Sequence, residues 1–262
     1  MKIEAAMKKD FIPIVLTKLY LQAVLPTLTE FVRLDSAARS IIDNSKFSLS
    51  IGVINKVGIL LNIDNGRVSY YKSYAAYPFR SSINLRFLSF KHLNHFFKGH
   101  TWAAPILLKG FSKIRHLKKF SQLTDRLTAL LLDKSVFNAV QAQLIFSILG
   151  KGLFVLAKYD PVAQNILQDL PFGLAEFSLG HDGVQSFWFE HTNKGPGFGF
   201  GVAPKRPEVK IHFKNIEIAH AAFSNKLDTL AAIGSQDIKI SGLIPLADGL
   251  SLIMERVDSY LI

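Results

Sequence analysis

One pattern of elements recurs along the chain, and that recurrence limits the fold more than any single motif. The alternating strand Ile83-Asn84-Leu85-Arg86-Phe87 has a counterpart 126 positions on, in Val209-Lys210-Ile211-His212-Phe213. Each strand leads into a helical stretch with a phenylalanine ten residues later, Phe97 and Phe223. A short strand closing on glycine follows, Ile106-Leu107-Leu108-Lys109-Gly110 and then Ile238-Lys239-Ile240-Ser241-Gly242, now 132 apart. An amphipathic helix ends each half, over about 114–132 and about 245–261. Upstream, the turn and strand Asp64-Asn65-Gly66-Arg67-Val68-Ser69-Tyr70-Tyr71 is matched to His181-Asp182-Gly183-Val184-Gln185-Ser186-Phe187-Trp188-Phe189. Period-two strands followed by helices predict an α+β layer fold rather than a parallel βαβ sheet.

The expected organisation is an N-terminal amphipathic helix in 1–35, a basic unit in 36–134, an apolar joining helix in 135–159 and a second unit in 160–262. Pro13 is placed in the first turn of the N-terminal helix, where its missing N–H costs nothing. Lys18 interrupts the apolar run that begins at Phe11, and no small-x-small cleavage site follows, so an export signal is not expected. The run Val136–Ala157 holds one charge, Lys151, but also Asn138, Gln141, Gln143 and Ser147. That polarity favours a buried helix over a membrane span.

With 49% hydrophobic and 11% aromatic residues in 262, the chain is not a disordered one. The absence of cysteine excludes disulfides, thiolate ligands and cysteine nucleophiles, and fits a cytoplasmic, reducing location. The net charge of +11 is unevenly spread: residues 1–134 carry +13 and residues 135–262 carry −2. Between Asp64 and Asp125 there is no acidic residue. The candidate anion-contacting residues in that stretch are Arg86, Lys91, Lys98, Lys109, Lys113, Arg115, Lys118 and Lys119, with conditional charge from His92, His95, His100 and His116. Such one-sided charge points to an anionic partner: a membrane surface, a nucleic acid or an acidic protein. Tyr70, Tyr71, Tyr74, Tyr77, Phe79 and Trp102 keep a nucleic-acid reading open, although no recognised nucleic-acid motif is present.

The second half also shows "VKIHF", a polar turn, a helix ending near Lys226-Leu227-Asp228, then "IKISG" and "LIPLADGLSLIMERVDSYL". In this it resembles the sterol carrier protein type-2 lipid-binding domains, over about residues 160–262. The first half is similar but more divergent, with "INLRF" and "FFKGHTWAAPILLKG" over about 36–132. The resemblance implies a duplicated fold in which a mixed, mostly antiparallel five-stranded sheet is covered by helices around an apolar cavity. It further implies binding of sterols, fatty acids, acyl-CoAs or phospholipids without chemistry, or presentation of lipid intermediates to enzymes of isoprenoid-quinone synthesis.

Residues suited to line such a cavity are Phe172, Phe177, Phe187, Trp188, Phe189, Phe198, Phe200, Phe213 and Phe223, together with Leu246, Leu250, Ile253 and Met254 of the closing helix. The expected partners are a lipid or other long apolar ligand and an anionic membrane. Neither cofactor nor metal is expected. The Gly-x-Ser-x-Gly elbow and the phosphate-binding loop are missing, and Gly195-Pro196-Gly197-Phe198-Gly199-Phe200-Gly201 fails the dinucleotide spacing. His92 and His95 lack a third ligand nearby, and His181-Asp182 with Glu190-His191 is a weak acid–base candidate. Lipid binding without catalysis is therefore the expected function; the alternatives are nucleic-acid binding and an accessory subunit of a lipid-modifying enzyme.

Overall fold

The computed structural model describes residues 2–73, 81–133, 135–180, 185–224 and 226–261, with side chains from 11 to 71 and from 81 onward in those ranges. The chain divides into two compact units, 1–132 and 133–262, each with a mixed five-stranded sheet. In the first unit, α1 (Lys2–Leu19) runs through a π-turn (Tyr20–Val24) and a 3-10 turn (Leu25–Thr27) into α2 (Leu28–Leu34) and α3 (Ser36–Ile42). Strands β1 (Lys46–Val53), β2 (Val57–Asp64), β3 (Arg67–Ser73) and β4 (Ile83–Phe87) follow, then α4 (Phe90–Phe97), β5 (Ile106–Lys109) and α5 (Ile114–Leu132). The second unit comprises α6 (Ala139–Tyr159), α7 (Pro161–Gln168), β6 (Gly173–Leu179), β7 (Gln185–His191), β8 (Gly197–Phe200) and β9 (Val209–Phe213). It ends with α8 (Ile216–Phe223), α9 (Thr229–Gly234), β10 (Ile238–Gly242) and α10 (Ile244–Leu261).

The sheets are ordered β3-β2-β1-β4-β5 and β10-β9-β6-β7-β8, which is one topology read from opposite ends. In each, the first and fourth strands pair in parallel and all other pairs are antiparallel. The registers agree residue by residue, except that a shift between Asn84 and Leu85 breaks the β4–β5 pairing and has no counterpart between β9 and β10. Leu49 faces Ile83 and Ala175 faces Val209, with both partners 126 apart between units. Leu61 faces Tyr70 and Phe189 faces Phe198, where the shift is 128.

The local devices that end elements correspond as well. Ser89 and Asn215 cap α4 and α8 by accepting from His92 and Ile218 backbone N–H groups. Asp35 and Asp160 cap α3 and α7, and each also meets an arginine of its unit's last helix, Arg126 and Arg256. Gly110 and Gly242 take φ of 102° and 101° at the ends of β5 and β10. A side chain there would also strike the backbone just before the neighbouring strand, at Ser82 O and Glu208 O.

Four expectations are corrected. The segment 64–71 matches the wrong strand of the second half: Arg67–Ser73 is third in its unit, whereas Gln185–His191 is second. A turn followed by an aromatic strand occurs in both hairpins, and only the long-range register separates them. Pro13 lies inside α1 rather than in its first turn, and its carbonyl accepts from Asn94 Nδ2 at 2.9 Å. Asp228 does not end a helix but caps the start of α9, accepting from Leu230 and Ala231 N–H. The helix in 135–159 belongs to the second unit, where it packs on α8, α10 and β7.

Two helical stretches, Phe11–Leu34 and Ala139–Tyr159, are long and apolar enough to cross a membrane by length and composition. More than half of the most apolar part of each is buried. Both match core helices in character: Leu16, Leu19, Leu21, Leu28 and Phe31 are buried in one, and Leu144, Phe146, Leu153 and Leu156 in the other.

Candidate lipid-facing surfaces

In the second unit, period-two alternation directs Phe177, Phe187, Phe189, Phe198, Phe200, Ile211 and Phe213 to one face of the sheet. Phe187 is the hub of this face. Its ring stacks on Phe177 at 4.6 Å, lies 4.8 Å from Phe146 of α6 and 6.0 Å from Phe198. Phe146 extends the chain of rings to Phe213 and Phe223, while Phe154 stacks on Phe198 at 5.8 Å. Leu246, Leu250 and Ile253 of α10 are fully buried, and Met254 is half-buried. Phe146 and Phe154 were not among the expected lining residues. They lie in a stretch read as a joining helix, and only its packing onto β7 and β8 brings them to the sheet.

The remaining expected lining residues fall elsewhere. Trp188 points to the opposite face, because neighbours on a strand alternate; its ring covers Gly199, where an added Cβ would lie 2.6 Å from it. That outer face is polar, with Glu190 paired to Lys205 at 2.6 Å, Glu176 to Lys210 at 3.5 Å, and Ser178 hydrogen-bonded to His212 at 2.9 Å. Phe172 is exposed beside His191; Phe200, although on the helix-facing side, is exposed at the edge of that side beneath the Lys151 ammonium. Glu190 and His191 form no acid–base pair, since one is held by Lys205 and the other packs against Phe172. His181 and Asp182 lie outside the described residues.

The first unit's charged side chains are also sorted by the structure. Lys91, Lys98, Lys109, Lys113, Arg115 and Lys118 are exposed. Lys119 instead donates to Asp43 O and Ser45 Oγ, at 3.3 and 2.7 Å. Arg86 is half-buried on the outer sheet face, where its guanidinium lies against Gly52 and Gly58 and donates to Ser50 Oγ at 3.0 Å. Burial draws its pKa below the usual arginine value. His92 is tied to the backbone, with Leu88 N–H donating to its Nδ1 and Ala104 O 3.2 Å from its Nε2. No cluster of three metal-ligating side chains occurs among the described residues. His95, His100 and Trp102 form a ring cluster, with His95 4.8 Å from the tryptophan. Of the aromatic residues considered for base stacking, Tyr71 is exposed, the Tyr70 hydroxyl is buried with its pKa pushed up to about 12, and Tyr74, Tyr77 and Phe79 lie outside the described residues.

Three histidines make stability depend on pH. Burial lowers the pKa of His116, which stacks on Phe47, and of His191 and His220 below the ordinary 6.5; Lys113, Lys119 and Arg115 add to the effect at His116, and Lys226 at His220. Each therefore binds a proton less readily in the folded chain than in the unfolded one, which takes up protons first as pH falls. Their contribution is complete above the ordinary imidazole value and is lost as pH drops below it. The melting temperature is expected to fall between about pH 7.5 and about pH 5.5. A flat profile in thermal unfolding contradicts this.

Neither a protein-family description nor a curated protein matches the chain. Among solved structures, the sterol carrier protein domain 2 of Helicoverpa armigera is similar at 18% identity and a TM-score of 0.32, over 41% of this chain and 83% of that one. Sterol carrier protein 2 from Yarrowia lipolytica is similar at 15% identity and a TM-score of 0.32, over 43% and 96%. The inverting sec-alkylsulfatase Pisa1 from Pseudomonas sp. gives 14% and 0.29, and the match covers 29% of that enzyme. Likenesses at these TM-scores carry no argument about ligand or activity.

Proposed function

We propose that the protein is a non-enzymatic lipid-binding protein made of two sterol-carrier-like α+β units that arose by duplication. In this reading the first unit docks on an anionic membrane, at the cytoplasmic side, and the second holds a long apolar ligand between its helices and sheet. The docking reading is carried by one observation: six exposed lysines and arginines between residues 91 and 118, with no acidic residue from 65 to 124 to offset them. Each Lys or Arg near an anionic bilayer contributes about 1 kcal/mol, so six amount to strong, salt-sensitive attraction. The second unit supports an apolar ligand by chemistry alone, since the helix-facing side of its sheet presents linked aromatic rings, with the Lys151 ammonium only at its Phe200 edge.

Co-sedimentation of the full chain with vesicles tests the docking. Binding to phosphatidylglycerol vesicles and little binding to pure phosphatidylcholine is expected. Binding indifferent to lipid charge and salt contradicts it. Salt-sensitive capture of single-stranded oligonucleotide without any vesicle binding would favour a nucleic-acid partner instead.

A further inference from the structure

The edge of the first unit's sheet carries a second property that charge does not explain. Strand β5 is outermost in its sheet, and the strand with the turns just before and after it exposes large apolar groups: Trp102 and Phe111 are 68% exposed, Ile114 62%, Leu108 56%. Monomeric proteins usually blunt such edges with charge or cover them, because open strand backbone and apolar side chains together invite association. At the matching edge of the second unit, Ile238 and Leu246 are buried. Leu230, Ile233 and Ile244 are exposed there, yet their charged neighbours Lys226, Asp228, Asp237 and Lys239 balance. Of these two matching edges, only that of the first unit combines, among the described residues, exposed apolar groups with uncompensated positive charge.

Resting on the docking reading above, we infer that the β5 edge inserts into the bilayer interface, with Trp102, Leu108, Phe111 and Ile114 entering the boundary between headgroups and acyl chains while Lys98, Lys109, Lys113 and Arg115 remain at phosphate level. The occupant is an anionic phospholipid bilayer rather than an acidic protein, because the apolar groups are joined to a tryptophan and long basic side chains. Tryptophan prefers the interface, and lysine and arginine stems reach back from it to the phosphates. The 3-10 turn Phe111–Lys113 and the start of α5 alternate apolar and basic residues over one turn each, as an interfacial helix does.

Insertion and plain electrostatic docking separate in one experiment. The full chain carries Trp188→Phe, which keeps a ring over Gly199 and leaves Trp102 as its only tryptophan. It is mixed with phosphatidylglycerol–phosphatidylcholine vesicles whose acyl chains are brominated near the headgroup. Insertion predicts a blue-shifted Trp102 emission that bromine quenches, with a bound fraction that survives about 0.5 M salt. Phe111→Ser and Ile114→Ser, both at exposed positions, are each expected to weaken binding about tenfold while leaving the unfolding midpoint unchanged. Binding abolished by salt, with unquenched emission, overturns insertion but leaves docking standing. No vesicle binding at any salt, or dimerisation through β5 in its place, overturns both.

Discussion

Asp160→Ala is expected to destabilise the second unit by about 3 kcal/mol, against about 1 kcal/mol for Asp35→Ala in the first. The two aspartates do the same work at corresponding places. Asp160 accepts from Val162 N–H at 2.9 Å and from Arg256 Nε and Nη2 at 2.9 and 2.8 Å. Asp35 accepts from Ala38 N–H at 2.8 Å and pairs with Arg126 Nη2 at 2.8 Å. Burial separates them: the Asp160–Arg256 side chains are 0% and 30% exposed, those of Asp35–Arg126 14% and 44%. Removing a carboxylate from the dry site strands a partly buried guanidinium, whereas water replaces the lost partner at the wetter one. Urea unfolding combined with hydrogen exchange resolved by unit measures both losses. Equal effects would contradict the ranking.

Phe187→Ala is expected to cost about 3–5 kcal/mol, and Trp188→Phe less than about 1 kcal/mol, although the larger residue stands next along the strand. Phe187 is fully buried and touches the rings of Phe146, Phe177 and Phe198. Gly150 of α6 leaves no room beside it: an added Cβ would lie 2.9 Å from the Phe187 ring. The cavity left by truncation is therefore walled by close-packed groups that collapse poorly. Trp188 sits half-buried on the outer face, where a phenylalanine ring still covers Gly199. Chemical unfolding midpoints of the two variants give the comparison; a Trp188→Phe loss as large as that of Phe187→Ala would place the core on the wrong face.

Parts of this arrangement are legible in the sequence because they are local. Ile83–Phe87, Val209–Phe213 and Ile238–Gly242 alternate cleanly, and Gly110 and Gly242 mark strand ends because only glycine fits a left-handed backbone against the next strand. The closing helices show their apolar stripes. β1 is less visible: Ser50 and Gly52 are buried on the face that ought to read as polar, so the alternation is blurred by small residues. The equivalence of β2 with β7 depends on register between distant strands, which no turn motif encodes. The site residues divide in the same way. The face of Trp188 follows from simple alternation with Phe187, whereas the engagement of Lys119 by Asp43 and Ser45 depends on how α5 docks. The recruitment of Phe146 and Phe154 requires knowing that α6 lies over the second sheet.

The central claim, lipid binding without catalysis, is tested most directly by organic extraction of the purified full chain followed by mass analysis, with native mass spectrometry of the same sample. A stoichiometric apolar ligand that comes off intact, and is taken up again when purified lipid is added back, is the result expected. A clean extract from a chain that accepts no lipid in native spectra would contradict it.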